Sequence, residues 1–123
     1  MRFMNTRTHG YADYLVGIIL ILAPYILGFA DGSAAQWVPQ ILGLGAILYS
    51  LLTDYEMGVV RMIPMPVHLG LDFASGLLLL ASPWLFGFAD RIAWPHVLFG
   101  LIEIGASLVT QTRPHTAGAT TRI

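Results

Sequence analysis

The chain has 123 residues, of which 56% are hydrophobic and 11% are charged, and its formal net charge is −1. A typical soluble domain has about 45–50% apolar and about 25% charged residues, so this composition argues against a soluble domain and favours a membrane protein. The absence of cysteine excludes disulfides and cysteine-ligated metals, and the few scattered arginines exclude nucleic acid as a partner.

The first predicted helix covers residues 11–31 and belongs to a pattern that the chain repeats. No residue between Asp13 and Asp31 is charged, and at about 1.5 Å per residue this run covers roughly 26 Å, close to a hydrocarbon core of about 30 Å. Because the pattern returns mid-chain, the first copy is predicted to be a retained span rather than a cleaved signal peptide. The repeated residues are His9, Asp13, Gly17, Leu20, Pro24 and Gly28 to Asp31, and then His68, Asp72, Gly76, Leu79, Pro83 and Gly87 to Asp90.

The remaining predicted helices cover residues 37–54, 69–90 and 94–112, and the second and fourth also align with each other, from Trp37 with Trp94 to Thr53 with Thr110. The chain therefore divides into a first repeat at 9–56, a linker at 57–67, a second repeat at 68–112 and a polar tail at 113–123. Backbone groups in lipid must be paired within the segment, which favours helices. The expected fold is all-α: one membrane domain over residues 1–123, a four-helix bundle built from two tandem transmembrane hairpins.

Arginine placement predicts the orientation of this bundle. With four spans, only Arg91 falls on one side of the membrane, and cytoplasmic segments carry the excess of positive residues. Both termini and the central linker are therefore expected in the cytoplasm. The arginines on the cytoplasmic side are Arg2, Arg7, Arg61, Arg113 and Arg122.

Ser82-Pro83-Trp84 lies in the third predicted helix, and Trp94-Pro95-His96 opens the fourth. These residues resemble the SPW repeat family, small prokaryotic membrane proteins named for that tripeptide in the first helix of a two-helix repeat. The resemblance covers about residues 9–56 and 68–112, and the first copy departs from it with Ala23-Pro24-Tyr25. It implies a bacterial or archaeal membrane location and the topology of two hairpins, but no activity.

The repeated histidines and aspartates are the first candidate site. His9 with Asp13, and His68 with Asp72, are spaced i, i+4, so each imidazole is expected beside the carboxylate of its own helix near the cytoplasmic boundary. An ion pair that fixes where each helix enters the membrane is the favoured interpretation. The alternatives are a proton relay, or half of a metal site donated by both repeats. Since two residues at i, i+4 form a weak motif, no metal and no cofactor are predicted.

Glu103 is the second candidate, because it stands where the first repeat has Ala46. The residue is predicted near the bilayer midplane, where an acid costs several kcal/mol unless it is neutral or paired. It shares one helical face with His96 and Ser107, which predicts a polar stripe through the fourth helix. A neutral, hydrogen-bonded Glu is favoured over a proton or cation pathway.

The prolines and aromatic residues are interpreted structurally. Pro24 and Pro83 are predicted to kink the first helix of each repeat and to free the carbonyls of Leu20 and Leu79, with the Ser82 hydroxyl as a candidate partner. Near the outer surface, aromatic rings are predicted to form a belt at headgroup level. These rings belong to Phe29, Trp37, Trp84, Phe88 and Trp94.

Two functions remain open from the sequence. The favoured one is a non-enzymatic module of the prokaryotic inner membrane that packs, forms homo-oligomers or docks a membrane protein partner, because no catalytic motif is present. The alternative is a small oligomeric transporter or channel that couples to protons or cations through Glu103. Lipid is the expected surrounding in both cases.

Overall fold

The computed structural model describes residues 2–113, and it contains four α-helices in this range. Helices α1 (Thr6–Ile26) and α2 (Ala34–Leu51) form one antiparallel hairpin, and α3 (Met65–Leu85) and α4 (Trp94–Val109) form the other. Helix α2 also packs on α3, which joins the hairpins. The fold is therefore all-α, as predicted. Arg122 and the remainder of the predicted tail after Arg113 lie outside the described residues.

The first helix of each repeat begins and ends earlier than the sequence predicted. Helix α1 begins at Thr6, after the Asn5 side chain accepts a hydrogen bond from the Thr8 amide at 2.8 Å. It ends at Ile26 rather than at residue 31, because Gly28 adopts a left-handed conformation with φ +80° and the chain folds back. Gly87 does the same with φ +77°, and α3 ends at Leu85 rather than at residue 90.

This fold-back corrects the prediction for two of the aromatic residues. The Phe29 amide donates to the Pro24 carbonyl and the Phe88 amide to the Pro83 carbonyl, both at 2.8 Å, as in a Schellman motif. Phe29 and Phe88 consequently turn inward and are buried, so they belong to the core and not to an aromatic belt. Exposed rings do remain at this end of the bundle, on Trp37, Trp84 and Trp94.

The prolines lie in the last turn of their helices, since α1 ends at Ile26 and α3 at Leu85. The carbonyl of Leu79, which Pro83 leaves without its helical donor, accepts a hydrogen bond from the Ser82 hydroxyl at 2.7 Å. In the first repeat, the Gln40 amide reaches the neighbouring carbonyl of Ile21 at 3.0 Å instead. The serine of the Ser-Pro-Trp tripeptide thus satisfies the backbone that its own proline disrupts, whereas Trp84 points outward.

Within each hairpin the two helices cross at a pair of glycines. A methyl group on Gly43 would lie 2.7 Å from the Gly17 carbonyl oxygen, and one on Gly100 would lie 2.7 Å from that of Gly76. Such close backbone approach is typical of small-residue contacts between membrane helices. The repeated glycines therefore set the spacing of both hairpins.

The segments that precede α1 and α3 connect the two repeats. Met4 donates to the Val109 carbonyl at 3.0 Å and accepts from the Gln111 amide at 2.8 Å, at the end of α4. Ile63 makes the equivalent contacts at the end of α2, donating to the Leu52 carbonyl at 2.8 Å. Each repeat thus begins by pairing with the end of the other.

The outer surface of the bundle is apolar on every helix. Two helices, α1 and α3, are long and apolar enough to cross a membrane by length and composition. Large apolar side chains are exposed along all four helices, whereas histidine, aspartate and glutamate side chains are buried between them. The exposed side chains include Leu15, Ile18 and Leu22 on α1, Ile41, Leu44 and Leu48 on α2, Leu71 and Leu77 on α3, and Leu98 and Leu101 on α4.

Candidate functional site

The two predicted His/Asp pairs meet in one buried cluster between α1 and α3, which we call the tetrad: His9, Asp13, His68 and Asp72. Both histidines are 0% exposed, Asp13 is 8% exposed and Asp72 is 2% exposed. The tetrad lies at the end of the bundle where the two repeats pair through Met4 and Ile63. The tetrad is therefore enclosed by protein, in the first turns of α1 and α3.

The shortest contacts in the tetrad cross between the repeats. His9 Nε2 lies 2.6 Å from Asp72 Oδ2, and His68 Nε2 lies 2.6 Å from Asp13 Oδ2. The contacts within one helix are longer, at 3.1 Å for His9 with Asp13 and 3.3 Å for His68 with Asp72. Each imidazole therefore does lie beside the carboxylate of its own helix, and it lies closer still to the carboxylate of the other repeat, which the sequence did not predict.

Two repeated threonines hold the other nitrogen of each ring. His9 Nδ1 lies 2.7 Å from the Thr110 hydroxyl, and His68 Nδ1 lies 2.7 Å from the Thr53 hydroxyl. Each hydroxyl donates its own hydrogen to a helix carbonyl, Thr53 to Tyr49 at 2.6 Å and Thr110 to Ala106 at 2.5 Å. A hydroxyl has one hydrogen, so both threonine oxygens must accept from the histidines. Both rings therefore carry a hydrogen on Nδ1.

This assignment fixes how many protons the tetrad holds. With Nδ1 protonated, a neutral imidazole has no hydrogen on Nε2, and an ionised carboxylate has none either. A separation of 2.6 Å between Nε2 and Oδ2 requires a hydrogen between them. Each crossed pair therefore contains one shared proton, and the tetrad as a whole is electrically neutral.

Tyr49 makes the tetrad asymmetric. Its hydroxyl donates to Asp72 Oδ1, and its ring lies edge-on to His68 with 5.0 Å between ring centroids. The aligned position in the second repeat is Ala106. Sequence reasoning missed Tyr49, Thr53 and Thr110 as members of the site, although the alignment of Thr53 with Thr110 was a visible signal.

The polar residues predicted along α4 share its buried face but are satisfied separately. His96 Nε2 donates to the Ala35 carbonyl at 2.9 Å, and its ring packs against Phe29 and Phe88. The Ser107 hydroxyl donates to the Ile104 carbonyl of its own helix at 2.7 Å. The three residues therefore lie on one face of α4, as predicted, but no hydrogen bond joins His96, Glu103 and Ser107 within residues 2–113.

Glu103 lies beside the tetrad. It is 6% exposed, and a methyl group on Gly76 would be 3.0 Å from its Cβ, one helical turn from Asp72. Its Oε2 makes no hydrogen bond to the residues that the structure describes. Glu103 is thus a buried acid at the contact between α3 and α4, one helical turn along α3 from the carboxylate that Tyr49 also approaches.

A family model, the SPW repeat domain, matches residues 7–110. The chain belongs to the SPW repeat family. The match spans both hairpins and contains every residue of the tetrad. No curated protein and no solved structure matches the chain. Membership of the SPW repeat family is consistent with a membrane protein and leaves the activity to be argued from the site.

Proposed function

We propose that this SPW repeat protein is a four-span protein of the prokaryotic cytoplasmic membrane, with both termini and the linker in the cytoplasm, and that it is a non-enzymatic packing and docking module. The observation that carries the proposal is the distribution of side chains. Leucines and isoleucines are exposed on all four helices, while His, Asp and Glu are enclosed between them. Such a surface is stable in lipid, and a monomeric soluble protein rarely exposes large contiguous apolar patches.

The interior favours a structural module over a conduit. The side chains of the tetrad are bonded to one another and to threonine hydroxyls, so they hold α1 and α3 together. The gap lined by Leu20, Ala23, Phe29 and His96 has no room for a water molecule, and a larger cavity of about 260 Å³ lies beside Arg2 and Ser107. Packing of this kind suits a rigid element whose outer faces meet a second copy or another membrane protein.

The orientation can be tested directly because the chain has no cysteine. Single cysteines at Asp90, in the loop between α3 and α4, and at Val59, in the linker, provide a matched pair on the two exposed ends. With a membrane-impermeant thiol reagent on whole cells, Asp90→Cys should react at once and Val59→Cys only after the membrane is permeabilised. Labelling of both, or the reverse order, would show that the orientation is wrong.

Assembly is measured separately, on single labelled molecules in liposomes. We expect most photobleaching traces to show more than one step per particle at low protein density. Single-step traces throughout, together with no captured membrane protein after crosslinking in cells, would leave the packing and docking role without support.

Glu103 favours a second candidate function, a proton- or cation-coupled pathway in an oligomer. A buried acid inside a membrane protein is a candidate functional group by default, and Oε2 of Glu103 lacks a hydrogen bond within residues 2–113. In proteoliposomes loaded with a pH dye, wild type would then show proton flux, Glu103→Gln would abolish it, and the control Asp90→Asn would retain it. Wild-type vesicles as tight as protein-free ones would exclude this candidate.

A further inference from the structure

We propose that the tetrad is a binding site for one divalent transition-metal ion of the zinc class, coordinated by His9 Nε2, His68 Nε2 and one oxygen each of Asp13 and Asp72. These four ligand atoms all lie within 4.8 Å of one another, and all four residues are buried. Imidazole nitrogen and carboxylate oxygen are both ordinary zinc ligands. The site goes beyond the proposed function and does not depend on it, because protein rather than lipid encloses the tetrad.

The histidines are already in the tautomer that a metal requires. Because each Nδ1 hydrogen is committed to a threonine hydroxyl, Nε2 is the nitrogen that faces the centre of the tetrad. A metal-bound histidine usually donates its other N–H to an oxygen, which fixes the ring and raises its basicity as a ligand. Thr53 and Thr110 supply that second contact to His68 and His9.

The contacts between ligand atoms of the same helix already have the spacing of a tetrahedral site. Zinc bonds of about 2.0–2.1 Å place neighbouring ligand atoms about 3.3 Å apart. Two of the four N–O distances in the tetrad, 3.1 and 3.3 Å, already have nearly this value. The two crossed contacts at 2.6 Å would lengthen by roughly 0.7 Å as the ion replaces their shared protons.

Charge favours a divalent ion in particular. Two ionised aspartates with two neutral histidines carry two negative charges in a buried site, where unpaired charge is costly. Two shared protons neutralise that charge in the metal-free tetrad, and one divalent cation does the same. The residues packed against the tetrad are uncharged or acidic: Tyr49, Thr53 and Tyr55 from the first repeat, Glu103 and Thr110 from the second.

The arrangement indicates a structural site rather than a catalytic one. Four protein ligands complete a tetrahedral zinc shell, whereas catalytic zinc keeps a position for water. Asp72 Oδ1 accepts a hydrogen bond from the Tyr49 hydroxyl, so only Oδ2 of this carboxylate is free to coordinate an ion. One ion would therefore join the first helices of both repeats.

Metal binding is tested on the untagged full-length chain in detergent, stripped with a chelator, loaded with excess zinc and passed through gel filtration. We expect about one zinc per chain by mass spectrometry. Cobalt in place of zinc should give the intense visible absorption of a tetrahedral site. Wild-type protein that retains no zinc, or cobalt that gives only the weak bands of an octahedral ion, would overturn the proposal.

The four histidines of the chain provide matched variants. His9→Gln and His68→Gln should each lose the bound zinc, while His96→Gln and His115→Gln should retain it. Equal zinc in all four variants would place the ion elsewhere and overturn the proposal.

A second variant keeps all four ligands, in case the histidine variants fail to fold. Thr53→Val combined with Thr110→Val should lower zinc affinity about 10–100-fold, because the rings lose their orienting hydroxyls. Gel-filtration elution and circular dichroism monitor the fold throughout. Unchanged affinity in this double variant would contradict the role assigned to the threonines and, with it, the tautomer on which the site depends.

Discussion

The two repeats supply the same residue types to the tetrad, but they surround it differently. The first repeat adds Tyr49, whose hydroxyl donates to Asp72, at a position where the second repeat has Ala106. The second repeat adds Glu103 where the first has Ala46. Both additions lie on the side of Asp72, which is also the more buried of the two aspartates. Duplication thus preserved the interlock of the hairpins, while divergence made one of its carboxylates chemically distinct.

Asp72→Asn and Asp13→Asn measure this difference most directly, and we expect the largest effect from Asp72. Removing one partner of a buried charged pair costs about 3–5 kcal/mol, and Asp72→Asn also disturbs the contact with Tyr49. Asp13→Asn should lower the free energy of unfolding by less. Denaturant titration in detergent, followed by circular dichroism, compares the two. Equal losses would show that the neighbours of the tetrad do not distinguish its carboxylates.

Tyr49→Phe should have the next largest effect. It removes one hydrogen bond to a carboxylate, worth about 1.5–3 kcal/mol, and keeps the ring against His68. Its control is Tyr11→Phe, because Tyr11 is exposed. Combined with Asp72→Asn, the loss should be smaller than the sum of the single losses, since both changes remove the same contact. Additive losses would mean that Tyr49 acts through some other neighbour.

The glycine crossings provide a case in which the repeats should behave alike. Gly43→Ala and Gly100→Ala each force a methyl group to 2.7 Å from a backbone oxygen, so both should destabilise by about 1–3 kcal/mol. Gly45→Ala and Gly105→Ala meet nothing within 4 Å and should stabilise by up to about 1 kcal/mol through helix propensity. The thermal unfolding temperatures of the four variants, compared with wild type, measure these changes in stability. A loss in one hairpin only would mean that the crossings are not equivalent.

The smallest effect is expected at the opposite end of the bundle, where Arg91 pairs with Asp31 on the exposed surface. Hydrogen bonds from Ser33, together with Arg91, hold the pKa of Asp31 below its usual range. The contribution of the Arg91–Asp31 pair to the free energy of unfolding is therefore present at neutral pH and disappears as pH falls through the lowered pKa of Asp31. Arg91→Ala should change thermal stability little at pH 7 and not at all once Asp31 is protonated. A large loss would mean that this end also fixes the two hairpins.

The sequence predicted the duplicated hairpins because identical residues at a constant offset are visible without any structure. It also identified His9, Asp13, His68 and Asp72, but as two separate pairs. The i, i+4 spacing describes neighbours on one helix, whereas the crossed contacts depend on how closely α1 and α3 approach. The sequence pattern of one helix cannot predict the distance between two helices.

The misplaced phenylalanines have a different physical origin. Phe29 and Phe88 follow the helix ends, where aromatic residues of membrane proteins commonly face the headgroups. The glycine before each one instead reverses the chain and turns the ring inward against His96. The motif of a glycine followed by an apolar residue was present in the sequence, and reading it as a Schellman cap would have placed both rings correctly.

Met4 pairs with the end of α4, and Ile63 pairs with the end of α2 in the same way. These contacts between the repeats therefore do not depend on which repeat comes first along the chain. A circular permutant that joins residue 113 to residue 2 and opens between α2 and α3 would retain every such contact. One hairpin with its own leading segment also contains one histidine, one aspartate and one threonine of the site. Two copies of one repeat would therefore carry every residue type that the tetrad and its threonines need.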